Sequence, residues 1–565
     1  MVMIRNVHRP LLACLILLAC FASAARAQSG PRRPRGIYAV VDVESQVTLW
    51  EQKDPGITET ELAADFASLY SQLLTNQAIS GLAIQVHWDR LNPYPQYYDQ
   101  PYDWSFLQPA FDAIQTNPAF SAKTIQLIIA AGFQSPAWVF NDLNPSCDPL
   151  FLGQTADPAC GWVTFNGYEE ATDNNNNTLP LPWNSTYRNA WQTFLEALYT
   201  LYGQNTALVS IAVAGPTAAS VEMILPSDTS ATPIQPQNGL SPNAMWGMLF
   251  TFQLGIPTPP PGQTYDDSPF VTQWTNAIDM FSGVFKSGLT LTVTSGDGLP
   301  SFNTNTYIPT NPVFVPDCPL ADMDCYTQTE ILSYFVGPGA GGVNAKSTQT
   351  SGMEAYRAIP NSTDPNDPMH NMGVAAVRNL SAQTADDTSF TTQILGGAQF
   401  NTGASTDPVG EGCLSNVPPP PAQQTMQCKT DLANLPTPCN SESCEPVSCI
   451  PKECLAPGVT QSTIGSFGIF KKVPLTDLIP AEQAIYNVLY VYFSGTAAAS
   501  SFGGIPGPNP APLNYLQIYS EDIVYAGQNT NNKVRIKQID GTWESVTAQE
   551  LLNTASRQLK KIAEE

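Results

Sequence analysis

Acids, amides and aromatic residues follow the predicted strands of this chain, and cations are scarce there. The set comprises His87, Trp88, Asp89, Trp138, Glu222, Asp297, Glu354, Gln399 and Glu521. Aromatic faces can stack on sugar rings, while amides and carboxylates can bind hydroxyl groups. Hydrolysis of a glycosidic bond needs two carboxyl groups facing it, one protonated and one ionised. The set therefore favours a neutral carbohydrate as the ligand.

Other chemistries are poorly supplied by the sequence. Beyond residue 27 the chain has two histidines, His87 and His370, too few for a His-rich metal site and a poor basis for a Ser-His-Asp triad. We interpret His87 as a hydrogen-bonding pocket residue rather than a metal ligand. Asp42, Asp89 and Asp297 could bind Ca²⁺ only if the fold gathers them, and their spacing does not indicate this. We therefore predict no metal and no cofactor.

The elements that carry these residues alternate between strand and helix patterns. Predicted strands lie at 36–43, 81–88, 124–130, 208–214, 289–294, 345–350, 393–400 and 513–519. Predicted helices lie at 59–77, from about 104 onward, and at 189–202, 242–252, 270–285, 327–336, 372–382, 481–493 and 548–563. Eight such units predict an α/β fold, a (β/α)8 TIM barrel with enlarged loops. A doubly wound open sheet is the alternative, weakened because no Gly-rich phosphate loop follows an early strand.

Several motifs in the first half of the chain resemble those of (β/α)8 glycoside hydrolases of the β-galactosidase and β-amylase type. They are HWDRLNP at 87–93, YDWS at 102–105 and SPAWV at 135–139. The stretch from 214 to 226 is similar to the loop after the fourth strand that carries the acid/base glutamate of these enzymes. The resemblance spans residues 36 to 226 and implies the role of catalytic acid for Glu222.

The same resemblance implies a second catalytic carboxyl after the seventh strand. This chain has Gln399 and Asn401 at that position, so we predict Glu354, after the sixth strand, as the substitute. Glu222 and Glu354 could each instead be an ordinary solvated loop acid. The remaining residues of the set are predicted to bind substrate, although Glu521 and Asp522 could equally cap the next segment.

The first 27 residues have the layout of a secretory signal peptide. Arg5 and Arg9 precede an apolar run at 11–25, and Ala25-Arg26-Ala27 forms a small-x-small cleavage site. The run is too short for a comfortable membrane span, which needs roughly 20 residues. A lipoprotein signal ending at Cys20 is the weaker alternative. We therefore expect an extracytoplasmic protein, secreted or periplasmic, without a membrane span.

The charge of the chain excludes some partners. Its net charge is −24, and cleavage after residue 27 would remove three arginines and no acids. Such a field repels nucleic acid and anionic membranes and argues against a polyanionic substrate. A neutral ligand remains compatible with it.

Ten of the twelve cysteines lie beyond the signal segment, an even number that predicts disulfide bonds in an exported protein. Cys147/Cys160 and Cys318/Cys325 are the expected local pairs. The Pro- and Cys-rich stretch 403–458 is predicted to be a disulfide-stapled insertion rather than a domain with its own core. The resulting organisation is a signal peptide at 1–27, a linker at 28–35 and one barrel domain at 36–565.

Two functions from different classes fit these observations. The first is an exported hydrolase that cleaves a neutral glycan through paired carboxylates. The second is a catalytically silent barrel that binds glycans or another exported protein, which the missing acid after the seventh strand favours. A third possibility is that the stretch 403–458 mediates attachment, with the barrel as its scaffold.

Overall fold

Eight parallel strands close into a barrel in the computed structural model of this chain, in the order β1-β10-β9-β8-β7-β6-β3-β2. The strands are β1 (Gly36–Asp42), β2 (Ile79–His87), β3 (Thr124–Ala130), β6 (Leu208–Ala212), β7 (Thr290–Ser295), β8 (Ala345–Thr350), β9 (Thr388–Ile394) and β10 (Leu513–Tyr519). The strands have the α/β TIM-like fold that the sequence predicts, and the open sheet is wrong because the pairings run through all eight strands and return to β1.

The structure describes residues 32–148, 159–166, 177–218, 220–228, 239–261, 265–286, 288–295, 299–300, 302, 324–337, 345–350, 388–394, 513–528, 533–537 and 543–564. The signal segment, Cys318, the predicted helices at 372–382 and 481–493 and the insertion at 403–458 lie outside these residues.

Helices surround the barrel and follow its strands in sequence. They are α1 (Val43–Lys53), α2 (Glu59–Thr75), α3 (Trp88–Leu91), α4 (Gln108–Thr116), α5 (Ala137–Asp142), α6 (Ser185–Tyr202), α7 (Pro242–Leu254), α8 (Ser268–Val284), α9 (Asp324–Val336), α10 (Ser520–Gln528) and α11 (Ala548–Glu564). Two hairpins lie outside the barrel sheet, β4 (Trp162–Thr164) with β5 (Thr178–Pro180) and β11 (Lys533–Lys537) with β12 (Trp543–Thr547), and short 3-10 helices lie at Pro118–Phe120 and Gly132–Gln134.

The sequence of α2 shows why these helices form and pack. Thr58 and Glu61 make a reciprocal capping box, in which the Thr58 N–H donates to Glu61 Oε2 at 2.8 Å and the Glu61 N–H donates to Thr58 Oγ1 at 3.3 Å. Leu62, Phe66 and Tyr70 then recur at helical spacing and are buried. Their stripe packs the helix onto the barrel.

Several predicted boundaries differ from the structure by a few residues, and two differ by more. The helix expected near Trp104 begins at Gln108, because the Ser105 N–H donates to Asp103 Oδ1 at 2.8 Å in a turn and Pro109 occupies the first helical turn. Ser105 is therefore not its N-cap. The seventh strand is β9, Thr388–Ile394, rather than 393–400, and the Gly396-Gly397 pair follows it in the sequence after Leu395.

The β4–β5 hairpin joins a loop that follows β3. The Cys147 and Cys160 sulfur atoms, predicted as a local pair, lie 2.17 Å apart, the separation of a disulfide bond. The Cys147 N–H donates to the Trp162 carbonyl at 2.7 Å, which attaches the loop to the hairpin.

Among the residues that the structure describes, no helix has both the length and the apolar character needed to cross a membrane.

Candidate functional site

The C-terminal end of β1 carries a half-buried carboxyl that caps a helix. Asp42 Oδ1 accepts from the backbone N–H groups of Glu44 at 3.1 Å and Ser45 at 3.3 Å, and Oδ2 accepts from Ser45 Oγ at 2.9 Å. Burial raises the pKa of Asp42, although His87 and the Ser45 hydrogen bonds oppose this. Asp42 is the N-cap of α1, so its side chain fixes the end of β1 relative to the helix that follows.

An ion pair joins the ends of β1 and β2. Arg90 Nε lies 2.8 Å from both carboxylate oxygens of Glu44, and Nη2 lies 2.6 Å from Oε2. The guanidinium also sits 5.0 Å above the Phe106 ring centre, an arrangement suited to a planar cation. His87 Nδ1 lies 3.9 Å from Glu44 Oε1. Glu44 thus joins both His87 and Arg90 to the end of the first strand.

Asp89 is a second carboxyl of this region with a raised pKa. Burial raises its pKa to about 6, with His87 and Arg90 opposing the shift and Glu44 adding to it. A carboxyl with that pKa exchanges a proton near neutral pH, as general acids and bases do. We call Asp89 and the four residues near it the β1–β2 charged cluster: Asp42, Glu44, His87, Asp89 and Arg90.

The two tryptophans of the predicted set differ in their surroundings. Trp88 is 0% exposed and packs against Trp138, Trp191 and Phe194. With no exposed face it cannot stack on a ligand, so its predicted role as a sugar platform needs correction to that of a core residue. Trp138 is half-buried, and its indole N–H donates to the Asn92 carbonyl at 3.0 Å. Only Trp138 retains an exposed surface.

Glu222 lies on the same face of the barrel, in the loop after its fourth strand, β6. It forms a parallel bridge with Thr294, near the C-terminal end of β7. Its N–H donates to Ser220 Oγ at 3.0 Å, and its carbonyl accepts from the Ile224 N–H at 2.8 Å. These bonds fix the backbone of a half-buried glutamate against the next strand.

The loop that carries Glu222 also contacts the loop after β3. The Phe133 N–H donates to the Ala218 carbonyl at 2.6 Å. Gly132 has a φ of +68°, and a β-carbon there would collide with the carbonyls of Thr217 and Ala218. Glycine is therefore required by both the backbone angle and the close approach.

A chain of buried amides crosses the barrel interior, which sequence reasoning missed. Gln517 Nε2 donates to Gln126 Oε1 at 2.6 Å, Gln349 Nε2 donates to Gln517 Oε1 at 2.7 Å, and Thr294 Oγ1 donates to Gln349 Oε1 at 3.4 Å. Since Thr294 bridges to Glu222, the chain connects the Glu222 loop to the far side of the barrel. The only available signal was a glutamine inside each of three strand patterns.

The structure does not describe the side chains of the remaining predicted site residues. Asp297, Glu354 and Gln399 lie outside the described residues. Glu521 is the second residue of α10, and its side chain is not described. The structure therefore gathers His87 and Asp89 in the charged cluster and places Glu222 on the same face of the barrel. Across the described ranges, no three potential ligands are grouped so that they could hold a metal ion.

Comparison with known proteins gives only loose structural likenesses. No protein-family model and no curated protein matches the chain. A β-amylase catalytic domain from Paenibacillus polymyxa is similar at 12% identity and a TM-score of 0.36, over 65% of this chain and 88% of that one. A β-galactosidase from Rahnella sp. R3 is similar at 9% identity and a TM-score of 0.29, over 66% of this chain and 51% of that one. A β-galactosidase from Marinomonas ef1 is similar at 11% identity and a TM-score of 0.31, over 94% of this chain and 60% of that one. The chain thus spans little more than half of either β-galactosidase, and the fold assignment rests on the strand pairing.

Proposed function

We propose that this protein is an exported glycoside hydrolase that cleaves a neutral glycan, with Glu222 as the catalytic acid and Glu354 as the second carboxyl. The observation that carries the proposal is the place of Glu222. It follows the fourth barrel strand and is held against the end of β7. Barrel enzymes keep their catalytic groups at this C-terminal face.

The charges at this face support a neutral substrate. Arg90 is the cation of the β1–β2 charged cluster, and Glu44 already neutralises it at 2.6–2.8 Å. The chain carries 48 acids against 24 lysines and arginines, so an anionic polymer would be repelled over long distances. Sugar hydroxyls, in contrast, can both donate to carboxylates and accept from His87 or protonated Asp89.

In the proposed hydrolysis the two glutamates have different roles. One carboxyl donates a proton to the departing glycosidic oxygen, while the other acts as nucleophile or as base toward water. His87, Asp89 and Trp138 would orient the sugar at the ends of β2 and β3. Because Asp89 changes its protonation state near pH 6, we expect the affinity for substrate to change over the same range.

Export is part of the proposal. The signal layout at 1–27 would deliver the chain to an oxidising compartment, where the Cys147–Cys160 bridge is stable. Cell fractionation of the wild-type protein and of a Cys20 variant would distinguish three fates of the exported chain: secretion, periplasmic retention and lipid attachment at Cys20.

The test is turnover by the protein lacking residues 1–27, on a panel of neutral 4-nitrophenyl glycosides and neutral polysaccharides. Glu222→Gln keeps the shape of the side chain and removes its proton chemistry, so we expect a loss of kcat of about 10²–10⁴-fold. Glu354→Gln should give a loss of similar size. Glu196→Gln, on the exposed face of α6, is the matched control and should leave kcat unchanged.

A second function, glycan binding without hydrolysis, is favoured by one observation. From Thr388 at the start of β9 to Thr406 the sequence contains no carboxyl, and the first is Asp407. The same panel separates the two functions. Binding without turnover by the wild-type protein would support the silent barrel, whereas full activity of Glu222→Gln would refute our assignment of the acid.

A further inference from the structure

Three tyrosines lie exposed side by side on the loop between α3 and α4. Tyr94, Tyr97 and Tyr98 are 52%, 84% and 51% exposed. The ring centres of Tyr94 and Tyr98 are 5.4 Å apart with an interplanar angle of 21°, and those of Tyr97 and Tyr98 are 5.2 Å apart at 36°. Tyr98 therefore neighbours both of the others, and we call the three rings the tyrosine strip.

Hydrogen bonds to one buried amide fix this loop. Asn92 is 1% exposed, and its Nδ2 donates to the carbonyls of Tyr94 at 2.8 Å and Pro101 at 2.9 Å, near the two ends of the loop. Within the loop, the Tyr98 N–H donates to the Pro95 carbonyl at 3.1 Å. The strip is thus held in place before any ligand arrives, which reduces the ordering entropy that binding would cost.

The strip differs from the other exposed apolar side chains among the described residues. Those are single residues on the outer helices: Leu201, Phe252, Leu254 and Tyr334. Isolated apolar side chains at a surface are ordinary, but a fixed cluster exposes a contiguous apolar patch to water. A patch of that kind, rimmed by polar groups, is typical of a binding surface.

We propose that the tyrosine strip is a second glycan-binding site, separate from the candidate catalytic groups, which binds a chain of neutral sugars by stacking. The face of a phenol ring is electron-rich and attracts the C–H groups on the face of a pyranose ring. The phenol hydroxyls can also donate to and accept from sugar hydroxyls. The class of ligand rests on the proposed function, while the site itself rests on the three rings.

Charge and ring geometry argue against two other ligand classes. From Leu91 to Ala122 the sequence has no lysine or arginine, and Asp99 adjoins the strip, so an anionic ligand is disfavoured. Neighbouring rings lie within 36° of parallel and partly overlap, so their faces do not enclose one point as the cage for a quaternary ammonium group does. A flat, uncharged, hydroxyl-rich chain fits both properties.

The position of the strip relates it to the barrel mouth. Its loop begins at Asn92, directly after the charged cluster at the end of β2. A polysaccharide bound at the strip would therefore be concentrated near the same face of the barrel that carries Glu222. The strip would raise the local concentration of a polymeric substrate without touching the bond that is cleaved.

The test measures binding rather than turnover, so that its failure and that of the proposed hydrolysis are distinguishable. Native affinity electrophoresis of the protein lacking residues 1–27 is run through gels containing soluble starch, galactomannan, mixed-linkage β-glucan or β-galactan. We expect at least one polymer to retard the wild-type protein. Tyr97→Ala should weaken that retardation from a few-fold to about tenfold, since one aromatic stacking contact contributes about 0.5–1.5 kcal/mol. The triple variant, with alanine at Tyr94, Tyr97 and Tyr98, should show no retardation.

Phe252→Ala, which removes an exposed aromatic ring from α7, is the matched control and should migrate like wild type. Glu222→Gln should also keep full retardation, because the strip is separate from the catalytic acid. Equal circular dichroism melting curves for wild type and Tyr97→Ala would show that the fold is intact. Hydrolysis of small 4-nitrophenyl glycosides, where wild type shows it, should be unchanged in Tyr97→Ala.

Three results would overturn the proposal: no retardation by any polymer, retardation that survives the triple variant, or a concentration-dependent dimer that Tyr97→Ala dissolves in size-exclusion chromatography. The last would make the strip an interface between two copies of the chain.

Discussion

The raised pKa of Asp89 predicts how stability depends on pH. An aspartate in an unfolded chain has a pKa near 3.9, whereas burial raises that of folded Asp89 to about 6. Between these values the folded protein binds more protons than the unfolded chain, so this group lowers the free energy of unfolding as the pH rises. A difference of about 2 pKa units corresponds to about 3 kcal/mol once the pH exceeds both values.

The perturbation is Asp89→Asn, which keeps the size of the side chain and removes its charge. Because most of the penalty develops between pH 4 and pH 8, the stability of the variant relative to wild type should rise by about 2 kcal/mol over that interval. The assay is urea denaturation of both proteins across the range. Asp99→Asn, at an exposed position on the loop that follows, is the control and should show no such trend.

Comparison between variants cancels the titration of the other carboxyls. A difference between wild type and Asp89→Asn that stays constant from pH 4 to pH 8 would refute the reasoning. Glu44→Gln provides a second check, because Glu44 raises the pKa of Asp89 and also neutralises Arg90. That variant should shift the pH-dependent step to lower pH.

Three further substitutions test the packing by urea denaturation at pH 7. Trp88→Ala should lower the free energy of unfolding by about 3–5 kcal/mol, because it removes a fully buried indole; a loss below 1 kcal/mol would place Trp88 at a surface. Gln517→Leu should lower the free energy of unfolding by at least about 2 kcal/mol, since it leaves the amides of Gln126 and Gln349 without that partner. An unchanged urea midpoint would contradict the amide chain. Thr58→Ala should cost about 1 kcal/mol through loss of the α2 cap, whereas Thr58→Ser should restore most of it.

The barrel could be predicted because its signals are local. The predicted bounds of β3 and β10 agree with the structure at both ends. The amphipathic pattern of α2 repeats over 17 residues. Each signal arises from burial within one element. The alternation of such elements then selects the fold class.

The polar interior of the barrel had no comparable local signal. Gln126 and Gln517 are 391 positions apart in the sequence, yet their side chains are hydrogen-bonded. A glutamine inside a strand pattern normally indicates a solvent-facing position. Only closure of the barrel turns these residues inward, and closure is a property of all eight strands together.

Burial also reverses which aromatic residues are available to a ligand. Trp88 was predicted to contact substrate and lies in the core, while Tyr97, which was not singled out, is 84% exposed. Both residues are aromatic and lie within ten positions of each other, so residue type and spacing could not separate them. Asn92 contacts both environments, because its Oδ1 accepts from the Trp88 indole N–H at 3.3 Å while its Nδ2 donates to the carbonyls of Tyr94 and Pro101 in the tyrosine loop. One buried amide thus fixes an enclosed ring on one side and an exposed strip on the other, and joins the barrel core to the proposed glycan surface.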